Sequence, residues 1–247
     1  MSLQLNLIPG TLVCRPNRFI FEGILNGDAC RLHCPANGSI GGIQNFSDIP
    51  CLVTPCQSGA KRTTRGTVDA ISIDRGTSWI GINQNRINGW VEQLLRCDGL
   101  KEIVSCVDAE VQHEVKILDS RLDLCILRGT SRTYIEIKTP IHDFLLTPQS
   151  RFTKPASKDY FARGIRHFHT LGELAAEGHR SIVILCFMYD ACPFVPPNDS
   201  SGNAEVFETV RIAEKNGMES WQVNFTLTPD SFSVKRIQRL SLCKRAS

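Results

Sequence analysis

The chain has 247 residues, of which 42% are hydrophobic and 21% are charged, and its formal net charge at pH 7 is +3. These proportions are those of an ordinary globular protein with one large or two small domains. The charge is only mildly basic, so it permits a nucleic-acid partner without indicating one. No apolar run reaches the roughly 18 residues that span a bilayer, and the longest, residues 181–189, suits a buried strand. The N-terminus lacks the pattern of a secretion signal, so we expect an intracellular protein without a membrane partner.

The 11 cysteines are spread through apolar segments and turns, and their odd number does not suit a disulfide framework. Cys30, His33 and Cys34 come nearest to metal-ligand spacing, but the chain contains no C-x-x-C pair. Buried thiols in a reducing compartment are therefore favoured over a zinc site.

The first third of the chain has the pattern of short strands joined by turns. The stretch RFIFEGILNGDACRLHC predicts a hairpin, because Asn26 and Gly27 supply the positive φ angles of a type I′ turn. About five such strands within residues 1–78 predict a small barrel of the OB type, a fold that can bind oligonucleotides. A basic loop with Lys61, Arg62 and Arg65 could contribute to such binding, or it could be an ordinary solvated loop.

A helix pattern begins near Asn88, which can act as an N-terminal cap. Its apolar face consists of Trp90, Val91, Leu94 and Leu95. Glu92 is then expected in the first turn, away from that face. An acid there can serve a functional site, or it can simply interact favourably with the helix dipole.

Residues 121–138, RLDLCILRGTSRTYIEIK, carry acids on an otherwise apolar background. Alternating residue types predict two strands, and a turn centred just after Gly129 would place Asp123 opposite Glu136. Like charges directly opposite each other are destabilising. A divalent cation held by both carboxylates would remove that cost, with Lys138 as a positive neighbour on the same face. The alternative is a solvated polar face on which Lys138 pairs with one of the acids.

The rest of the chain is expected to complete a second domain over residues 79–247. A helix is predicted from about Asp159 to Glu177 and is followed by the buried strand that begins near Ser181. A third helix should end at Gly217. The resulting order is helix, strand, strand, strand, helix, strand, with a further helix and strands towards the C-terminus.

Positive charge is concentrated between residues 151 and 169, where five basic residues accompany one acid, Asp159. The five are Arg151, Lys154, Lys158, Arg163 and Arg166. A basic helix beside an acidic hairpin suits a phosphodiester substrate, because cations can hold the backbone while carboxylates hold a metal ion.

Several stretches, in this order and spacing, resemble the sugar fermentation stimulation protein family from about Arg18 to Thr228. They are RFIFEGILNGDACRLHCPANGSIGG, GTSWIGIN, SRLDLCIL, YIEIK and ARGIRHFHTLGELAAEGHRSIVILCF. The family is described as DNA-binding. The resemblance implies an α+β, or α/β, two-domain protein: an N-terminal OB-like β-barrel followed by a restriction-endonuclease-like domain of the PD-(D/E)xK type.

The resemblance also implies roles for individual residues. Asp123 would be the strand acid of the nuclease motif, and Glu136 and Lys138 would be its E-x-K. Glu92 falls where the first helix of such a domain often contributes a further acid. Together with the basic loop and helix, the family's motifs suggest a set of nucleic-acid contacts: Lys61, Arg62, Arg65, Arg163, Arg166 and His167.

These observations predict a DNA-binding protein with a nuclease site that depends on Mg²⁺ or Mn²⁺. Asp123 and Glu136 would bind the ion, Glu136 could also be shared by a second ion, and Lys138 would orient or activate the attacking water. The alternative is a non-catalytic DNA-binding regulator that uses the barrel and the basic helix. DNA is favoured over RNA, and the sequence does not indicate an oligomeric state. An enzyme acting on sugars is disfavoured, because neither a dinucleotide fingerprint nor a P-loop is present.

Overall fold

The structure, a computed structural model, describes residues 1–36, 40–56, 63–140, 158–194 and 204–242. For residues 158–163 it describes the backbone alone. The predicted nucleic-acid contacts Lys61 and Arg62 lie outside these ranges, and so does the side chain of Arg163.

Within the described residues, the elements in chain order are β1 (Ser2–Gln4), β2 (Ile8–Asn17), β3 (Ile20–Leu25), β4 (Asp28–His33), β5 (Ile49–Pro55), β6 (Gly66–Ile71), β7 (Ile80–Gly81), α1 (Gln84–Arg96), β8 (Glu110–Ile117), β9 (Ser120–Arg128), β10 (Ser131–Lys138), α2 (Lys158–Ala176), β11 (Arg180–Phe187), α3 (Ala204–Lys215), β12 (Glu219–Leu227) and β13 (Ser231–Leu240). The order from α1 to β11 is the predicted one. Of the described helices, none is long and apolar enough to cross a membrane.

Strands β2 to β6 form a closed, OB-like barrel. Neighbouring strands pair in the order β4-β3-β2-β5-β6, and a further pairing between His33 of β4 and Thr67 of β6 closes the barrel. The β3–β4 hairpin turns at Asn26 and Gly27, whose φ angles are 55° and 85°, as the sequence predicted. The barrel core is apolar and includes Leu12, Phe21, Leu32, Val53, Val68 and Ile71.

The second domain is a mixed β-sheet covered by helices on both faces. Its seven-stranded sheet has the order β1-β13-β12-β11-β10-β9-β8, in which β11 is parallel to both β10 and β12. Helix α1 packs on one face, where the core includes Trp90, Leu94, Ile135, Ile137 and Ile184. Helices α2 and α3 pack on the other face, where the core includes Tyr134, Leu171, Val183 and Val210. Burial of both faces explains why the central strands are almost continuously apolar.

Each domain contributes one short strand to the sheet of the other domain. Strand β1 pairs with β13 in the second sheet, whereas β7 pairs with β6 beside the barrel. The division predicted after residue 78 remains a prediction, and these two strands show that the chain crosses between the domains at more than one point.

A buried acid connects the barrel to helix α1. Asp69 of β6 is fully buried, and its Oδ2 accepts hydrogen bonds from the backbone N–H and the hydroxyl of Thr54, at 3.0 and 2.5 Å. Its Oδ1 accepts a hydrogen bond from Nδ2 of Asn83 at 2.7 Å and lies 3.5 Å from Nε of Arg86. Because Asn83 immediately precedes α1, the barrel determines where this helix begins.

This connection corrects two expectations about α1. The helix begins at Gln84 and not at Asn88; the residue before it is Asn83, whose side chain is held by Asp69. Glu92 consequently lies in the third turn, and the first turn contains no acid. A helix-dipole role for Glu92 therefore has no basis in the structure.

Candidate metal centre

The β9–β10 hairpin carries the two acids that were predicted to bind a metal ion. It turns at Gly129, whose φ angle is 59°, and its backbone pairing continues as far as Ile135 with Leu124. This is the predicted register. Asp123 and Glu136 are the next residues beyond the last pair, so both lie where the two strands stop pairing.

Asp123 lies at a break in the alternation of β9. Leu122 packs in the core beneath α2 and Leu124 in the core beneath α1, although a regular strand would place both on one face. At this break, Asp123 Oδ2 accepts a hydrogen bond from the backbone N–H of Ile137 at 2.7 Å, and Oδ1 accepts one from Nδ2 of Asn88 at 2.8 Å. The carboxylate is thus held between the end of β10 and helix α1.

Glu136 is buried between β10 and α2 and is only 2% exposed. Its Oε1 accepts hydrogen bonds from Nζ of Lys138, at 2.5 Å, and from Nδ1 of His167. Its Oε2 is buried and has no hydrogen-bond partner among the described residues. A buried carboxylate oxygen without a donor keeps its full desolvation cost, so this position is suited to a cation.

The pKa values of the two acids show that they share one electrostatic environment. Burial, followed by the negative charge of Glu136, raises the pKa of Asp123 from 3.8 to about 6. Burial also acts to raise the pKa of Glu136, but the hydrogen bond from His167 and the charge of Lys138 outweigh it and hold that pKa below its usual value. Near neutral pH both acids are therefore ionised, and for Asp123 the charge is unfavourable unless a cation is close.

The number of protein ligands limits which ions the centre fits. Among the described residues, no group of three or more His, Cys, Asp or Glu side chains is arranged to hold a metal ion. A centre built on Asp123 and Glu136 offers two carboxylates. Mg²⁺ is commonly held by one or two carboxylates and keeps several waters, whereas structural zinc needs about four protein ligands. The donors therefore fit a hard cation such as Mg²⁺ or Mn²⁺.

Glu92, which was predicted as a further acid of this centre, has other partners. Its Oε1 accepts hydrogen bonds from Nε and Nη2 of Arg96 at 2.9 and 2.7 Å, and its Oε2 lies 2.9 Å from Nδ1 of His113 on β8. Within the described part of the chain, the α1 side chain that hydrogen-bonds Asp123 is Asn88, one turn earlier.

The sequence pattern suggested Asn88 as a helix cap and did not indicate its contact with Asp123. A signal was present, because Asn88 precedes the buried residues Val91 and Leu95 by three and seven positions. That spacing places Asn88 beside the buried stripe of α1, close to the sheet.

His167 was predicted to contact nucleic acid, but the structure places its ring in the interior beside Glu136. The side chain is buried, with 4% exposure, and its Nδ1 lies against Glu136 and 3.3 Å from Nζ of Lys138. The helical spacing could have indicated burial, because His167 precedes Leu171 and Leu174, which face the core, by four and seven positions. A ring in this position orients the acid and does not reach a phosphate.

Two of the predicted nucleic-acid contacts lie at the surface that the structure describes. Arg166 is exposed on α2, one residue before His167. Arg65 is exposed on the barrel, where its Nη1 forms an ion pair with Oδ2 of Asp28 at 2.9 Å.

A closed OB-like barrel followed by an α/β domain with helices on both faces of its sheet defines a two-domain protein of the restriction-endonuclease-like class. The family model described as "Sugar fermentation stimulation protein RE domain" matches residues 85–231. The chain belongs to the sugar fermentation stimulation protein family, as its sequence motifs indicated.

Individual relatives match nearly the whole chain. The sugar fermentation stimulation protein homolog of Teredinibacter turnerae is 29% identical over 230 residues, which cover 92% of this chain and 94% of the relative. The homolog of Geotalea daltonii is 28% identical over 222 residues, which cover 89% and 90%. The structure of Pyrococcus furiosus SfsA in complex with Ca²⁺ has the same fold, with a TM-score of 0.65 and 19% identity over 96% of each chain.

Proposed function

We propose that the protein binds DNA and hydrolyses a phosphodiester bond at a divalent metal ion held by Asp123 and Glu136. The observation that carries this proposal is the buried Oε2 of Glu136, which lacks a donor among the described residues and belongs to the acid whose negative charge, after burial, raises the pKa of Asp123. The Pyrococcus furiosus relative was solved in complex with Ca²⁺, which supports a divalent cation in this family. We expect Mg²⁺ or Mn²⁺ to support activity.

The metal ion and the side chains would have different roles in phosphodiester hydrolysis. A bound Mg²⁺ or Mn²⁺ would polarise the phosphate and provide a nucleophilic water. Asp123 and Glu136 would hold the ion, and both are oriented by hydrogen bonds that leave oxygen lone pairs available. Lys138 is 24% exposed and donates to Glu136, so its ammonium group lies between the buried acid and the solvent. There it can orient the attacking water and stabilise negative charge that develops on the phosphate.

We assign DNA binding to the barrel and to the outer face of α2. OB-like barrels bind oligonucleotides, and exposed basic residues hold the phosphate backbone. Arg65 and Arg166 supply such charges. The other proposed contacts, Lys61, Arg62 and the Arg163 side chain, lie outside the described residues. Glu92 is not required in this proposal, because Arg96 and His113 already occupy both of its oxygens.

The test is a cleavage assay with purified protein, single- and double-stranded DNA and RNA, and Mn²⁺. We expect DNA cleavage by the unaltered protein and a loss of at least about a hundredfold in Asp123→Asn and Glu136→Gln. Asp119→Asn is the matched control, because Asp119 is an exposed acid close to β9 in the chain. Cleavage that persists in Asp123→Asn would contradict the proposal.

A second candidate is a non-catalytic DNA-binding regulator that uses the barrel and α2. It is favoured by the observation that α1 presents an amide, Asn88, and not a third carboxylate to Asp123. Salt-sensitive DNA binding without cleavage in Mg²⁺ or Mn²⁺ would support this candidate over the nuclease.

A further inference from the structure

We infer that Asn88 is the residue through which helix α1 acts on the candidate metal centre, and that this centre holds one divalent ion and not two. Asn88 is a positioning residue: it orients Asp123 and adds no negative charge. The inference rests on the proposed function, because it concerns the same pair of carboxylates.

The first step is the geometry around Asp123. Asn88 Nδ2 donates to Oδ1 at 2.8 Å, and the backbone N–H of Ile137 donates to Oδ2 at 2.7 Å. These donors come from different elements, a helix and a strand, so together they fix the plane of the carboxylate. Each carboxylate oxygen can accept about two hydrogen bonds, so each keeps a lone pair for an ion.

The second step is the balance of charge. Asp123 and Glu136 are the two carboxylates of the centre, and Lys138 brings a positive charge to within 2.5 Å of Glu136. The amide of Asn88 is neutral. Two-metal phosphodiesterase sites place the ions roughly 4 Å apart, where their mutual repulsion must be offset by anionic ligands. Two carboxylates beside an ammonium group provide enough negative charge for one ion.

Glu92, the acid of α1, is held away from Asp123 by its own partners. Glu92 accepts two hydrogen bonds from Arg96, and Arg96 Nη2 also donates to the backbone carbonyl of Val111 on β8 at 3.0 Å. His113 occupies the remaining oxygen of Glu92. Turning Glu92 towards Asp123 would break these contacts and leave Arg96 without its carboxylate.

The experiment is a count of bound Mn²⁺, by electron paramagnetic resonance and by calorimetry, on the full chain without nucleic acid. We expect one Mn²⁺ per unaltered chain. Asn88→Ala should weaken binding by about tenfold or more, as the loss of partners that orient metal ligands typically does. Asn85→Ala is the matched control, since Asn85 is an exposed asparagine on the same helix, and it should stay within about twofold.

Two further variants test the neutral charge of Asn88 and the absence of a role for Glu92. Asn88→Asp adds a carboxylate beside Asp123, so it should lower the melting temperature in EDTA at about pH 8 and increase the gain in melting temperature that Mn²⁺ produces. Glu92→Gln should leave Mn²⁺ affinity within about twofold, because Glu92 does not contact Asp123 or Glu136 among the described residues.

The outcomes separate the inference from the proposed function. If the unaltered protein binds no Mn²⁺, both are contradicted. If it binds two ions, or if Glu92→Gln weakens binding and Asn88→Ala does not, the inference fails while the metal-dependent function stands. If Asn85→Ala weakens binding as much as Asn88→Ala, the effect comes from the helix as a whole and the inference also fails.

Discussion

Nδ1 of His167 on α2 and Oε1 of Glu136 on β10 share a hydrogen bond in the interior, where the two residues are 4% and 2% exposed. The preceding residue, Arg166, is exposed on the same helix. Helix α2 therefore presents a positive charge to the solvent while it orients an acid of the candidate metal centre. This arrangement couples the surface that we assign to DNA with the carboxylate that we assign to the ion.

The first prediction concerns His167. His167→Leu removes a donor to a buried carboxylate, so the free energy of unfolding should fall by about 2 kcal/mol and the pKa of Glu136 should rise. His167→Gln keeps a donor and should recover part of the loss. Urea denaturation at about pH 7 measures both effects.

The matched control for His167 is His169, an exposed histidine of the same helix whose Nδ1 lies 3.2 Å from Oε2 of Glu173. Because exposed contacts of this kind contribute little, whether or not the ring is charged, His169→Leu should change the free energy of unfolding by less than about 1 kcal/mol. An equal loss in both variants would show that the Glu136 contact has no particular importance.

The second prediction concerns the pH dependence of stability without metal. The pKa of Asp123 is about 6 in the folded protein, above its usual 3.8, so the folded state binds more protons between these values. The contribution of Asp123 to stability should therefore fall as pH rises from about 4 to about 6 and stay reduced above that range. Asp123→Asn removes this titration, so it should be more stable than the unaltered chain by up to about 2 kcal/mol at about pH 8 and by little near pH 4.

Chemical denaturation in EDTA across this pH range measures the difference. Asp119→Asn serves as the exposed control. A gain in Asp123→Asn that does not depend on pH would contradict an unfavourable charge at this position.

The third prediction concerns metal affinity. An ion can replace the proton on Asp123 only when that proton leaves, so Mn²⁺ should bind most tightly above about pH 6. Below that pH the affinity should fall by up to about tenfold for each pH unit. Calorimetric titrations between about pH 5 and 8 check this dependence, and an affinity that is constant over the range would contradict a role for Asp123.

The fourth prediction concerns the link between barrel and helix. Asp69→Ala leaves the partly buried donors of Thr54 and the buried amide of Asn83 without an acceptor and should lower the free energy of unfolding by about 3 kcal/mol. Hydrogen exchange should also speed up in the first turn of α1. Asp28→Ala removes an exposed ion pair on the same barrel and should cost less than about 1 kcal/mol.

The fifth prediction concerns DNA binding. Arg166→Ala should weaken binding to all sequences alike and reduce the slope of log K against log salt concentration by about 0.9. Arg65→Ala should have a smaller effect, because Asp28 already neutralises part of its charge. Fluorescence anisotropy at several salt concentrations distinguishes these results from an unchanged slope, which would exclude Arg166 from the interface.

The part of the site that depends on short-range pattern was predictable from the sequence. Alternation along β9 and β10, together with the turn at Gly129, was sufficient for the register of the hairpin. Spacing by two placed Glu136 and Lys138 on one face, and the structure brings their side chains together.

Contacts between elements that are far apart in the sequence could not be predicted from short-range pattern. The start of α1 depends on Asp69 of the barrel, which lies 14 residues before Asn83 in the chain. The positions of Asn88 and His167 follow from how two helices pack on opposite faces of the sheet. Helical periodicity indicates which face is buried, but it does not reveal which strand residue will be met there.

The most direct measurement is a crystal structure of the protein soaked in Mn²⁺, with data collected at a wavelength that gives an anomalous manganese signal. We predict one anomalous peak at roughly 2.2 Å from an oxygen of Asp123 and from Oε2 of Glu136. A peak elsewhere, or its absence between these two carboxylates at saturating Mn²⁺, would contradict the proposed metal centre.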